Sequence, residues 1–417
     1  MKIHLLTIVI ALLSIIACDS YNQIERKLYR IQEDGKYGFI DAKGDVKISP
    51  QYEYASHFFN GYSTVAIECS TYNDTMSVLP QITRCITYNY IDESGKLLLD
   101  QHLTYKVSNM FERSLPGYHD ILYNLRFESN LAVYRNEEGL YGFINTKGNI
   151  KIPCEYDDAR AFSDKKAAIN KREDGWGFIN IDGTIFIKPQ YFSVQDYNHG
   201  LASASILVAD AEFRETSVSF PKVDQVVLDG NGRIIGTPKS MYRQFSTFSE
   251  DSIALVQHLL VGLMGYQYVD ASGDFLPTKE SPVIENREYA NFIIETNRTN
   301  PFLDAGEFSE GYAPVSFTGD LYLYIDKYFV PKHDGNNIYT YEKAYSFAHG
   351  LAAVKKEGKW GFINKKFEEV IPCQYDSCRY YFEGELARVY TKAENYTIES
   401  YINKQNHTVW QMIRKNN

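Results

Sequence analysis

The sequence predicts an all-β protein, a tandem array of about eight short three-stranded antiparallel units of roughly 35 residues each, stacked as a solenoid or closed as a propeller. Three observations predict it. One phrase recurs four times, as GKYGFIDAKGDVKISP (35–50), GLYGFINTKGNIKIP (139–153), GWGFINIDGTIFIKP (175–189) and GKWGFINKKFEEVIP (358–372). A leading aromatic is followed five positions later by a small residue at Phe58, Phe127, Phe162, Tyr197, Phe308, Phe347 and Phe382, and with one residue added at Phe248. The steps 127 to 162, 162 to 197 and 347 to 382 are each 35 residues. Finally, the chain holds 34 tyrosines and 24 phenylalanines, which suit half-buried pleated surfaces, while helix-period apolar stripes are scarce.

The elements follow in chain order. Met1–Ala17 carries one lysine and an apolar run from Leu5 to Ile16, too short to span a bilayer and suited to a secretory leader. It ends in Ile15-Ile16-Ala17-Cys18, which resembles the lipobox of bacterial lipoproteins. That resemblance implies cleavage before Cys18, lipid attachment to its thiol and a tether over 18–30. Within each unit, a turn with Gly or Asn follows the leading aromatic, as at Gly311 and Asn130. A small/apolar alternation such as Ala352 and Val354 makes the first strand. The Trp/Tyr-Gly-Phe-Ile phrase makes the second, with the ring and the Phe on one face and the Gly and Ile on the other. Glycine weakens a strand, so its recurrence predicts close approach by a backbone or ring. Tyr37-Gly38, Tyr141-Gly142, Trp176-Gly177 and Trp360-Gly361 are therefore expected to be packing residues, with the rings of Trp176 and Trp360 in the core, and the phrase is expected to mate each copy with the next. Hairpin turns TKGN (146–149), AKGD (42–45) and IDGT (181–184) lead to a third strand ending in Pro and then Tyr: Pro153 and Tyr156, Pro189 and Tyr191, Pro372 and Tyr375.

These copies resemble the bacterial WG-repeat (KWG-repeat) family, and the likeness runs over most of 31–410. The family is often found in secreted and lipoprotein chains. WG-type repeats with insertions are expected over 31–204, degenerate repeats over 205–345 and further WG-type repeats over 346–417. The degenerate segment keeps Phe248 and Phe308 but loses the Trp-Gly phrase, and NKKFEE (364–369) lacks the expected turn glycine. Insertions are expected at 70–84, 100–126 and 280–305.

The chemistry is sparse. Cys154 and Cys373 share a repeat position and read as structural thiols. Cys69 and Cys85 flank an insertion between two strands expected to pair, which makes them a candidate disulfide in an oxidising compartment. No Cys-x2-Cys pair exists and the histidines are scattered, so no metal site is expected, nor any cofactor. LDGNGRI (228–234) reads as a hairpin turn rather than a calcium loop. The formal charge of −10 disfavours a general nucleic-acid role. Tyr380, Tyr381 and the tyrosines of LYLYIDKY (321–328) are candidates for stacking on sugar rings. The leading expectation is a non-enzymatic, lipid-anchored protein of the bacterial cell envelope, presenting an interaction surface to an envelope protein or glycan. The alternatives are an envelope enzyme acting on glycans with carboxylates in 205–345, and a structural spacer.

Overall fold

The computed structural model describes residues 27–74, 81–109, 118–207, 223–237, 242–260, 263–274, 276, 302–335 and 337–416. Cys18 and the leader lie outside the described residues, as do 75–80, 110–117 and 280–301 of the insertions. The described chain is all-β with one short helix, Tyr118–Asn124, and forms nine small sheets, one more than the eight leading aromatics mark. The extra sheet is the first, which opens directly on the strand Leu28–Glu33. The sheets occupy 28–52, 54–109, 131–156, 158–191, 193–236, 242–269, 304–341, 343–375 and 377–415, and each is a sequential meander. Six have four strands rather than three, because a two-residue strand such as Tyr54–Ala55 or Lys343–Ala344 precedes the leading aromatic. Contacts divide the chain into two compact units, one of Arg26–Glu173 with Phe178–Lys188, the other of Asp174–Gly177 with Pro189–Asn417.

Two turns recur. After the leading aromatic the chain reverses through paired positive-φ residues, as at His349 (φ 54°) and Gly350 (φ 83°), the geometry of the tight hairpin. After the middle strand, an Asp or Asn accepts two backbone N–H groups on its side-chain oxygen. Asn364 Oδ1 takes those of Lys366 (2.9 Å) and Glu368 (3.1 Å), and Asp229 Oδ1 those of Asn231 and Arg233, both at 2.9 Å. LDGNGRI is therefore the same turn as in the other sheets, with the Asp229 carboxylate committed to it.

The glycine of the phrase has a local cause. Trp360 pairs with Tyr375 and Phe362 with Ile371, so the outer strand carries two more residues than the middle strand over that step. The bulge, which contains Pro372, lies over Gly361, where a Cβ would meet Ile371 O at 2.4 Å and Cys373 N at 2.7 Å. Gly38 under Ile48 O and Gly142 under Ile152 O repeat this at 2.5 Å. The close approach predicted for the glycine is thus made by its own sheet, not by the next copy. Where the middle strand has Ser400 at that position, the outer strand pairs residue by residue through the step, and where it has Asn89, the side-chain amide bonds the backbone N–H and carbonyl of Leu99.

Mating between copies falls to the third residue of the phrase. Phe39 meets the next leading aromatic Phe58 at 4.8 Å, Phe143 meets Phe162 at 4.9 Å and Phe362 meets Phe382 at 4.9 Å. Where a tyrosine replaces that Phe, the ring contact stays and a hydrogen bond is added. Tyr90, Tyr268 and Tyr324 pack on Phe127, Phe308 and Phe347, and their hydroxyls donate to the carbonyls of Leu125 (2.8 Å), Gly306 (2.6 Å) and Tyr345 (2.7 Å). Each acceptor sits two residues before the leading aromatic. The degenerate copies with Tyr268 and Tyr324 thus keep the aromatic joint of the WG-type copies, and the copy before them sets Val227 in one cluster with Phe248.

The missing turn glycine is also explained. Phe367 takes the left-handed conformation (φ 64°) that glycine fills in other copies, and its ring lies over Tyr339 at 5.3 Å, against Tyr324 and Phe347 of the core. Phe329 (φ 63°) does the same against Tyr268 and Phe302. In the first unit this position meets an aliphatic side chain of the preceding sheet, Ile48 at Gly95 and Ile152 at Gly183. Phe replaces glycine in the two consecutive sheets 304–341 and 343–375, where its ring fills the joint with the preceding sheet.

The disulfide expected between Cys69 and Cys85 does not form. The two strands, Tyr62–Asp74 and Gln81–Asp92, do pair antiparallel, and the register from Tyr62↔Asp92 to Ala66↔Tyr88 would carry on to set the thiols opposite each other. A bulge at Ile67 shifts it by one residue, so Cys69 faces Ile86 and Cys85 faces Ser70. The thiols then point to opposite faces of the sheet and both are free. Residues 70–74 and 81–84 of the insertion at 70–84 accordingly continue the two paired strands.

Candidate functional site

The ring that opens the phrase sits differently from its Phe. Phe362 is fully buried, whereas Trp360 is only half-buried, as are Tyr37, Tyr141 and Trp176. Trp360 therefore stands at the edge of the core, packed against the buried cluster of Phe362, Ile371 and Phe382, and Trp176 is likewise partly buried, since strand alternation places ring and Phe on one face but only the Phe reaches the next sheet's leading aromatic. The half-buried rings meet neighbours of their own kind. Tyr37 lies 4.8 Å from Tyr54, with the Arg30 guanidinium 5.1 Å and 5.2 Å from the two rings. Tyr141 shares a hydroxyl–hydroxyl hydrogen bond of 3.0 Å with Tyr105.

The richest such cluster is in the second unit. Trp360 and Tyr345 are stacked at 5.3 Å and 16°, and Tyr380 follows Tyr345 at 4.4 Å and 44°, giving a ladder of three rings. The last rung, Tyr380, is 53% exposed. Beside the ladder stand Asp304, Tyr322 and Lys343. Asp304 pairs with Ser316, and Ser316 with Tyr322, so the small serine lets the Tyr322 hydroxyl reach across and donate to the Asp304 carboxylate. Lys343 Nζ bonds the same carboxylate at 2.5 Å, donates to the Tyr322 hydroxyl and lies 4.4 Å from the Tyr322 ring. Lys343 and Tyr345 are two residues apart at the end of one short strand, which brings the polar trio to the ladder.

Electrostatics keep the cluster un-ionised at its phenols. Burial pushes the Tyr322 phenol well above its ordinary value, and its hydrogen bond to Asp304 and that carboxylate's charge push it further. Burial does the same at Tyr345, helped by Tyr380, Cys378, Tyr322 and Asp304 around it. Both hydroxyls remain donors across the physiological range. The trio holds one carboxylate and one ammonium, each about one-third exposed, so it is polar without net charge. Among the described residues no group of three or more His, Cys, Asp or Glu side chains could hold a metal ion.

The sequence pointed to parts of this site. Tyr380 and Tyr322 belong to the cluster, whereas Tyr324 is core and Tyr328 is exposed on the turn that follows. Tyr345, Asp304 and Lys343 were missed, yet the repeat contains a signal for them. Tyr345 and Tyr380 both stand two residues before a leading aromatic, and Asp304 and Lys343 both stand four before one. Equivalent positions in consecutive copies come together along the array.

In the last sheet the position of Trp360 is taken by Glu399, which is buried between Arg388 (2.9 Å) and Arg414 (2.7 Å). Charge replaces stacking there. The thiols are unreactive in character: burial raises Cys69 and Cys373 to about 11 and pushes Cys378 higher still.

Comparison with known proteins bears on the repeat. The WG containing repeat matches residues 37–68, 141–173, 176–206, 334–360 and 360–392. Five regions of this chain thus match the WG repeat. Four of these matches start on the opening ring of a phrase, and those at 37, 141 and 360 run through the bulged outer strand into the first long strand of the following sheet. The WG repeat is thus offset from the sheet by about one strand. No curated protein matches the chain. Among solved structures, a crystal structure of a eukaryotic initiation factor aligns over 94% of this chain and 96% of its own, with a TM-score of 0.53 and 9% identity. That likeness is one of fold alone. BamB from Moraxella catarrhalis aligns at a TM-score of 0.36 and 10% identity, over 69% of this chain and 87% of its own.

Proposed function

We propose that this protein is a non-enzymatic β-repeat lipoprotein of the bacterial cell envelope, anchored through Cys18, and that it presents the face around Trp360 to a protein or glycan partner. The observation that carries the surface is the ladder Trp360–Tyr345–Tyr380, whose last ring is more than half exposed. Aromatic side chains offer large contact area at low entropic cost, and a stacked ladder holds that area rigid before any partner arrives. The lipobox-like Ile15–Cys18 supports the anchor, and the charge of −10 argues against a nucleic-acid partner.

Two experiments test the parts separately. Detergent partitioning of the full chain, compared with Cys18→Ala, tests the anchor: the variant should leave the detergent phase, and unchanged partitioning would refute it. Co-purification from solubilised envelope tests the face. Wild type should retain components that a Trp360→Ala/Tyr380→Ala variant loses, with both proteins folded by circular dichroism. Identical co-purification would place the binding surface elsewhere. Steady release of shorter glycans by the purified protein would instead show an enzyme.

A further inference from the structure

We infer that the outer face of Tyr380 is a platform for a neutral hexopyranose ring, with Asp304, Tyr322 and Lys343 beside the ladder serving the sugar's hydroxyl groups. The inference rests on the reading of the Trp360 face as an interaction surface and gives that surface a ligand class.

The geometry favours a flat, apolar-faced ligand. Tyr345 touches both other rings, with Trp360 nearly parallel to it at 16° and Tyr380 tilted by 44°. The rungs follow one another instead of converging, so the cluster is not a cage around a cation. What it offers outward is one ring face, that of Tyr380. A pyranose presents axial C–H groups on one face and equatorial hydroxyls around its edge, so it extends such a stack while its rim seeks hydrogen bonds. The neighbouring polar groups suit that rim. Asp304 accepts, Lys343 donates, and the two neutralise each other at 2.5 Å, so the site favours neither an anion nor a cation. A nucleobase has the same flat face, but its phosphate would meet a chain of charge −10.

The test uses the full-length protein in detergent with three neutral probes of different linkage and substitution: cellohexaose, chitohexaose and maltohexaose. Binding is read by quenching of intrinsic fluorescence and by saturation transfer to the sugar C–H protons. At least one probe should bind saturably, and Tyr380→Ala should weaken it by about tenfold or more. Tyr328→Ala removes an exposed tyrosine on the turn away from the ladder and should leave the affinity unchanged. Asp304→Asn keeps an acceptor without charge and should weaken binding less than Tyr380→Ala. Absence of binding to all three probes, or equal affinity in wild type and Tyr380→Ala, would overturn the inference. If Tyr380→Ala abolishes capture of envelope components while no sugar binds, the sugar assignment fails and the interaction face stands.

Discussion

Single positions in this repeat carry distinct loads, and glycine shows it best. Gly361 lies under the bulge, with Ile371 O only 2.4 Å from where a Cβ would sit, and Gly358 has open space but a left-handed backbone (φ 76°). Gly361→Ala should therefore cost about 1–3 kcal/mol through overpacking, and Gly358→Ala about 1–2 kcal/mol through backbone strain alone. Chemical denaturation of the two variants checks the order, and a more stable Gly361→Ala would show that the bulge does not need the glycine. The turn carboxylates give a pH prediction. The Arg233 N–H and its companions hold the Asp229 carboxyl below its ordinary range, and the Ser94 hydroxyl does so first at Asp92. A carboxyl depressed in the fold contributes stability above its unfolded pKa, and that stability disappears as pH falls through the folded value. Asn145 and Asn364 fill the same turn without a charge. Asp229→Asn should thus lower the melting temperature slightly at pH 7, where the charge contributes, and flatten its decline below about pH 4. An unchanged acid slope would remove Asp229 from the account.

Between elements, the joint is an aromatic pair, and its variants are informative. Tyr324→Phe keeps the ring contact with Phe347 but leaves the Tyr345 carbonyl without its donor, at a cost of about 1 kcal/mol. Phe367→Ala relieves little at φ 64° and empties a core position, so it should destabilise by about 3–5 kcal/mol. Thermal melts decide both, and a neutral Phe367→Ala would mean that the ring is not needed to close the joint. The strands and turns at this scale were legible in the sequence, because Gly, Asn and Asp mark the turns and the WGFI alternation marks the middle strand. What was not legible was register. The bulge at Ile67, one residue in a strand of ordinary composition, decided that Cys69 and Cys85 face opposite ways, and the bulge over Gly361 turned an inter-copy contact into an intra-sheet one. The site was half legible for a related reason. Tyr380 stood out by composition, but Asp304 and Lys343 are 39 residues apart and meet only because successive sheets set equivalent positions side by side.

For the whole molecule, the account separates what holds the array from what the array displays. The last sheet carries the buried Arg388–Glu399 pair where the phrase has its opening ring. Arg388→Met removes one of the two guanidinium groups that hold the buried Glu399 carboxylate, leaving Arg414, and should cost about 3 kcal/mol or less, and adding Glu399→Leu should restore much of it. A double variant no better than the single one would rule out uncompensated charge as the cause. The central claim is that within one five-residue phrase the fully buried Phe holds the fold, while the partly buried Trp stands at the rim of the core. Thermal unfolding of Phe362→Ala and Trp360→Ala in the same buffer tests it most directly. Burial of Phe362 between its sheet and Phe382 predicts a loss of about 3–5 kcal/mol, and partly buried Trp360 predicts a smaller one, about 1 kcal/mol. A Trp360→Ala loss equal to or larger than that of Phe362→Ala would make the ladder part of the core and contradict the account.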